Sequence, residues 1–129
     1  MDTPEHKRTV LVVEDDAQLR SALHDKLSHD GLDVLEAADG QEGLEVALRE
    51  RPHLILLDLV MPNMDGFEMA KKLRADAWGA KVPVVILSNL TDMKSVQEAL
   101  SSDIYEFFVK TDVKIDEVIE RVKQLLRLA

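Results

Sequence analysis

Three short apolar runs constrain this chain more than any other feature: Val10-Leu11-Val12-Val13, Leu54-Ile55-Leu56-Leu57 and Val84-Val85-Ile86-Leu87. Each is continuous, and each is bounded by polar or turn residues. A strand with one wet face would alternate, so these runs predict strands buried on both faces, as in a parallel sheet covered by helices. Weaker strands are predicted at Asp33 to Glu36 and at Tyr105 to Val109, where the mixed polarity of Tyr105-Glu106-Phe107 suits an edge. Between the strands, apolar residues recur at helical spacing. The stripes are Leu19, Ala22, Leu23 and Lys26–Leu27; Gly43, Leu44, Ala47 and Leu48; Phe67, Ala70 and Leu73; Met93, Val96, Ala99 and Leu100; and Ile115, Val118, Ile119, Val122, Leu125 and Leu126. Asp39 with Glu42, and Asp65 with Glu68, have the spacing of a helix N-cap and its back-bonding carboxylate. Gly31 stands where the first helix should stop in a left-handed residue, and Pro52 and Pro83 stand where no ladder N–H is needed. Five strand–helix alternations with right-handed crossovers predict an α/β fold, a doubly wound five-stranded parallel sheet flanked by five helices.

At 129 residues the chain is one domain in size, and residues 9–129 are expected to form it after a polar tail at 1–8. Lys plus Arg number 16 against 25 Asp plus Glu, a net charge of −9, which argues against direct nucleic-acid binding by this domain. There is no cysteine, which excludes disulfides and thiolate metal sites. No apolar run has the length of a signal peptide core or a membrane span. The expectation is a soluble cytoplasmic domain without membrane insertion, monomeric or weakly dimeric. With no output domain after the last helix, it either acts alone on a protein partner or belongs to a longer protein.

In an open parallel sheet the functional crevice lies at the carboxyl ends of the strands. Glu14, Asp15 and Asp16 follow the first run, Asp58 the third strand, Ser88 the fourth and Lys110 the fifth. Carboxylates a few ångströms apart repel unless a cation joins them. A hard divalent ion suits such oxygen ligands, and Mg²⁺ in particular binds one or two carboxylates together with phosphate oxygens. A carboxylate beside it can attack phosphorus, with an ammonium and a hydroxyl to stabilise the transferred group.

In order and spacing these residues resemble the receiver domain of two-component response regulators, from about Thr9 to Leu128. The carrying motifs are Val10-Leu11-Val12-Val13-Glu14-Asp15-Asp16, Leu56-Leu57-Asp58-Leu59-Val60-Met61-Pro62-Asn63-Met64-Asp65-Gly66, Val84-Val85-Ile86-Leu87-Ser88 and Phe107-Phe108-Val109-Lys110. The resemblance implies a flavodoxin-like strand order of 2-1-3-4-5. It implies that Asp58 accepts a phosphoryl group from a histidine kinase or histidine phosphotransfer protein. Asp15, Asp58 and the backbone carbonyl of Val60 would ligate Mg²⁺, with Mn²⁺ as a substitute, and Glu14 would act on the ion through water. Ser88 and Lys110 would hold the phosphoryl oxygens, and the rotamer of Phe107 would follow the movement of Ser88. A downstream protein would read the surface of the fourth helix, fifth strand and fifth helix. Such a domain is not an enzyme in the usual sense, because it assists only its own phosphorylation and dephosphorylation.

Singly, each residue has an ordinary explanation. Asp15 or Asp16 can cap the first helix, Asp58 can be a turn residue, Asp65 an N-cap, Ser88 a loop hydroxyl, Lys110 a surface charge and Phe107 edge-strand core. Joint placement at four strand ends is what these separate causes do not predict. His6, His24, His29 and His53 lack ligand spacing, Trp78 carries no functional argument, and the five methionines read as packing.

Three positions depart from the family pattern. Thr111 follows Lys110 where the family usually has proline, so a trans bond is expected, a non-proline cis bond costing about 2.5–4 kcal/mol. Asp103 stands where glycine is frequent, and Asn89 where a smaller residue is frequent. Val60 and Leu90 would flank the path of the hydrolytic water, and neither side chain can orient it, so slow loss of the phosphoryl group is expected.

Among other functions, a flavodoxin-like electron carrier would find its flavin phosphate repelled by Glu14-Asp15-Asp16. A phosphatase using a strand-end aspartate would need a second acid where Val60 stands. The serious alternative is a receiver-like interaction module that works without phosphorylation.

Overall fold

The computed structural model describes residues 7–61, 63–89 and 104–128. In chain order the elements are β1 (Thr9–Val13), α1 (Ala17–His29), β2 (Asp33–Ala37), α2 (Gly40–Glu50), β3 (Leu54–Leu57), α3 (Gly66–Arg74), β4 (Val84–Ser88), β5 (Ile104–Val109) and α4 (Ile115–Leu128). The strands form one parallel sheet in the order β2-β1-β3-β4-β5. Four helices flank it among the described residues. The helix predicted over Met93 to Leu100 lies outside them, as do Pro62, Leu90 and Asp103.

The continuous runs are buried along their whole length because both faces are covered. Val10, Val12, Leu54, Leu56, Val85 and Leu87 face Leu23 and Leu27 of α1 and Val118, Ile119, Val122 and Leu126 of α4. Leu11, Val13, Ile55, Leu57, Val84 and Ile86 face Val46 and Ala47 of α2 and Met69, Ala70 and Leu73 of α3. Adjacent residues thus serve opposite cores, as the two-residue period of a strand requires. Met61, Met64 and Met69 are packing residues, and Trp78 packs half-buried against the same cluster.

The helix ends follow their local signals. Asp16 caps α1, accepting hydrogen bonds from the amides of Gln18 and Leu19. Gly31 has φ +89°, the Leu32 N–H donates to the Leu27 carbonyl and the Gly31 N–H to the Ser28 carbonyl, which closes α1 in a left-handed turn. Asp39 and Asp65 accept from the amides of Glu42 and Glu68, as their spacing predicts, whereas the carboxylate of Glu42 returns its bond to the Ala38 amide rather than to Asp39. On α2 the buried face is Gly40, Gly43, Val46 and Ala47, while Leu48 is exposed, so the predicted stripe was rotated toward solvent by part of a turn. No peptide bond among the described residues is cis, so the Lys110–Thr111 bond is trans. No helix among them is long and apolar enough to cross a membrane.

Candidate functional site

The strands deliver their polar neighbours to one end of the sheet by simple continuation of pairing. Glu14, Asp58 and Lys110 each stand one residue past a strand, and each is pinned by a further backbone bond. The Glu14 N–H donates to the Ala37 carbonyl at 3.0 Å, the Asp58 N–H to Val13 at 3.0 Å and the Lys110 N–H to Ser88 at 2.9 Å. Ser88 is the last residue of β4 and pairs with Val109. The start of α3 presses against this end. A Cβ at Gly66 would stand 2.3 Å from the Asp58 carbonyl oxygen and 2.7 Å from the Leu59 Cα, so only glycine allows the approach.

The side chains then converge. Lys110 Nζ lies 2.8 Å from Glu14 Oε1 and 3.0 Å from Asp58 Oδ2. Glu14 Oε2 accepts from the Asp16 amide at 3.0 Å, and Asp58 Oδ1 accepts from the Val60 amide at 3.3 Å. Glu14 and Asp58 are buried at 2% and 4% exposure, while Asp15 is exposed. Even so, one carboxylate oxygen from each of Glu14, Asp15 and Asp58 lies within 4.8 Å of the others. Ser88 Oγ is buried and has no hydrogen-bond partner among the described residues.

The remaining predicted residues fall around this cluster. Val60 is exposed beside Asp58. Phe107 is half-buried and packs on the core under α2 and α3. Asn89 and Thr111 are exposed. Asp16 is committed to its helix cap, which separates it from the adjacent Asp15. Asp65 is likewise committed to α3.

Burial pushes the Glu14 carboxyl up to about 7, and the charge of Asp58 pushes the same way, against the hydrogen bonds from Lys110 and the Asp16 amide. Burial alone would lower Lys110, but its bonds to Glu14 and Asp58 outweigh that and hold the ammonium above its usual value. Three carboxyl groups surround one ammonium at this end of the sheet. That donor set, all hard oxygen, fits a divalent cation such as Mg²⁺ with phosphate oxygens beside it. The Ser88 hydroxyl, without a partner among the described residues, fits the same reading, since a buried hydroxyl left unsatisfied is costly.

One contributor escaped the sequence reading. Arg20 of α1 reaches over the end of the sheet, donating from NH1 to the Glu14 carbonyl at 2.7 Å and from Nε to Glu36 Oε1 at 3.0 Å. Its spacing carries no signal, because its partners lie on β2 and beyond β1.

Comparison with known proteins agrees with this geometry. Residues 10–123 match the response regulator receiver domain. A probable transcriptional regulator, ycf27, of Porphyridium aerugineum is 36% identical over 121 residues, covering 94% of this chain and 49% of that protein. The DNA-binding response regulator MtrA of Mycobacterium tuberculosis is 37% identical over 127 residues, covering 98% of this chain and 53% of that protein. The chain therefore spans about half the length of these curated relatives. Among solved structures, the receiver domain of the Francisella response regulator 1452 superposes with a TM-score of 0.83 at 32% identity, covering 94% of this chain and 98% of that one. On the match over residues 10–123, the shared fold and these identities, the chain belongs to the response regulator receiver domain family.

Proposed function

We propose that this domain, taken as residues 9–129, accepts a phosphoryl group on Asp58 from a histidine kinase or histidine phosphotransfer protein and thereby switches a protein-binding surface. The observation that carries this is the bridge of Lys110 between the buried Glu14 and Asp58, beside a buried hydroxyl, Ser88, with no partner among the described residues. Asp15, Asp58 and the Val60 carbonyl would hold Mg²⁺, with Glu14 acting through water. When bound, the ion would neutralise charge on the phosphoryl oxygens.

The chain's own residues do the rest. An Asp58 carboxylate oxygen forms the new bond to phosphorus as the bond from phosphorus to the donor's imidazole nitrogen breaks, and the electron pair leaves with the imidazole. Lys110 moves from a carboxylate partner to a phosphoryl oxygen, keeping its charge satisfied throughout. Ser88 Oγ donates to a second phosphoryl oxygen, which gives that hydroxyl its partner. Those new bonds exist only in the phosphorylated form, so they bias the balance between two arrangements of the domain. The relatives named as transcriptional or DNA-binding regulators are about twice as long as the part matched here. In a longer protein of that kind this acidic domain would act on a protein surface, through β5, α4 and the predicted helix at Met93 to Leu100, rather than on nucleic acid.

The test is incubation with a small acyl phosphate donor and Mg²⁺, read by intact mass. The expected result is a gain of one phosphoryl group in wild type and none in Asp58→Asn. No gain in wild type would favour an interaction module that works without phosphate. A gain that survives in Asp58→Asn would refute the acceptor.

A further inference from the structure

Glu14 ends the pairing of β1 in an asymmetric way. Its N–H still donates to Ala37, but β2 stops at Ala37, so the Glu14 carbonyl has run past the sheet. It has not yet entered α1 either, where the Arg20 N–H takes the Asp16 carbonyl as the first helical acceptor. The Arg20 side chain fills that gap with a 2.7 Å bond from NH1. The guanidinium is itself fixed. Its Nε donates to Glu36 Oε1 at 3.0 Å, while His24, one turn further along the same face of α1, puts Nδ1 2.5 Å from Glu36 Oε2. One carboxylate on β2 is thus flanked by two residues of α1, and the fork of Arg20 is aimed at the turn of acids.

The consequence follows from peptide planarity. The Glu14 carbonyl belongs to the same rigid plane as the Asp15 amide. Holding the oxygen therefore fixes the Asp15 nitrogen and Cα, the point from which its exposed side chain departs. We infer that Arg20, held by Glu36, is a positioning residue that sets the Glu14–Asp15 peptide and so keeps the Asp15 carboxylate in place for the cation beside Asp58. The inference rests on the reading of the acid cluster as a Mg²⁺ site.

Charge alone predicts the opposite behaviour, which makes the idea testable. Removing a guanidinium beside a cation site removes repulsion and should tighten Mg²⁺ binding. Removing a positioning group should loosen it. The experiment is direct calorimetric titration of the full chain with Mg²⁺, with amide hydrogen exchange at Asp15 and the thermal midpoint of the Mg²⁺-free protein measured alongside. Arg20→Met is expected to bind Mg²⁺ roughly tenfold more weakly, the lower end of the loss seen when an outer partner of a metal ligand is removed, and to exchange the Asp15 amide faster. Arg20→Lys keeps the charge without the fork and is expected to weaken binding too. Glu36→Gln should act in the same direction by less, and it carries the test if Arg20→Met does not fold. A lowered thermal midpoint with wild-type Mg²⁺ affinity, or tighter binding in Arg20→Met, overturns the inference. If wild type itself does not bind Mg²⁺, it is the reading of the site that fails.

Discussion

The two ends of this sheet solve the same problem in different ways. At either end of a parallel strand the ladder runs out, and polar groups need partners from elsewhere. At the amino end they find them locally. The Thr9 N–H donates to His53 Nδ1 at 2.9 Å, the His53 N–H returns a bond to the Thr9 carbonyl at 2.8 Å, and the Asp33 N–H takes the Arg8 carbonyl at 2.9 Å. At the carboxyl end the added backbone bonds serve instead to hold charged side chains together. Glu14 and Asp58 share a single ammonium, Glu14 is pushed up to about 7, and Ser88 Oγ has no partner among the described residues. One end is closed and self-sufficient. The other gathers charge, with two buried carboxyl groups sharing one ammonium.

Replacing Lys110 should break the carboxyl end most severely. Lys110→Met leaves two buried carboxylates without their shared cation, and a loss of about 3 kcal/mol in urea unfolding is expected at pH 8. The loss should shrink at pH 6, because Glu14, which burial pushes up to about 7 and the loss of Lys110 pushes further, is then protonated and no longer a stranded charge. A loss that does not change between the two pH values would show that the stability of this end does not depend on its charges.

The amino end should respond to pH as well, by a smaller amount. Burial, with the charge of Arg8 adding to it, holds His53 below its usual value, and its Nδ1 must stay unprotonated to accept from Thr9. The unfolded chain therefore takes up the proton first as pH falls below about 6.5. The stability contributed by neutral His53 is complete above that pH and is lost as pH drops toward the folded value. His53→Ala should cost about 1 kcal/mol at pH 8, the size of one neutral hydrogen bond, and flatten that part of the curve. An unchanged pH profile in the variant would assign the dependence elsewhere.

The smallest expected effect is kinetic and lies on the rim of the carboxyl end. Val60 is exposed beside Asp58 and offers no hydrogen bond to an attacking water. In Val60→Asn the phosphoryl group should be lost about threefold faster, near the low end of what one neutral hydrogen bond contributes. Equal decay of the phosphorylated mass in both proteins removes Val60 from that role.

The same contrast explains how much could be read from the sequence. The strands were legible because a run such as Leu54 to Leu57 has few alternatives once it is both short and wholly apolar. The helix ends were legible because a cap is local: Asp39 and Asp65 accept from the amides of Glu42 and Glu68, three residues on, as spacing suggests. Residue type at a strand end was enough to nominate Glu14, Asp15, Asp58, Ser88 and Lys110. Which of two adjacent acids caps α1 was not legible, since Asp15 and Asp16 both fit; the geometry assigns the cap to Asp16. Leu48 looked like core because leucine usually is, and Val46 took the buried position because the rotation of α2 on the sheet is set by packing. Arg20 and His53 were illegible for a different reason. Their partners, Glu36 and Thr9, are distant in sequence, and no periodicity encodes a bond between separate elements.

On the function proposed above, the carboxyl end of the sheet receives a phosphoryl group on one particular carboxylate, that of Asp58. The most direct test traps the acyl phosphate by borohydride reduction, after treatment with a small acyl phosphate and Mg²⁺, and maps the product by peptide mass. Homoserine is expected at position 58, and only when Mg²⁺ is present. Reduction at Asp15, Asp16 or Asp65 instead, or at no residue, would contradict it.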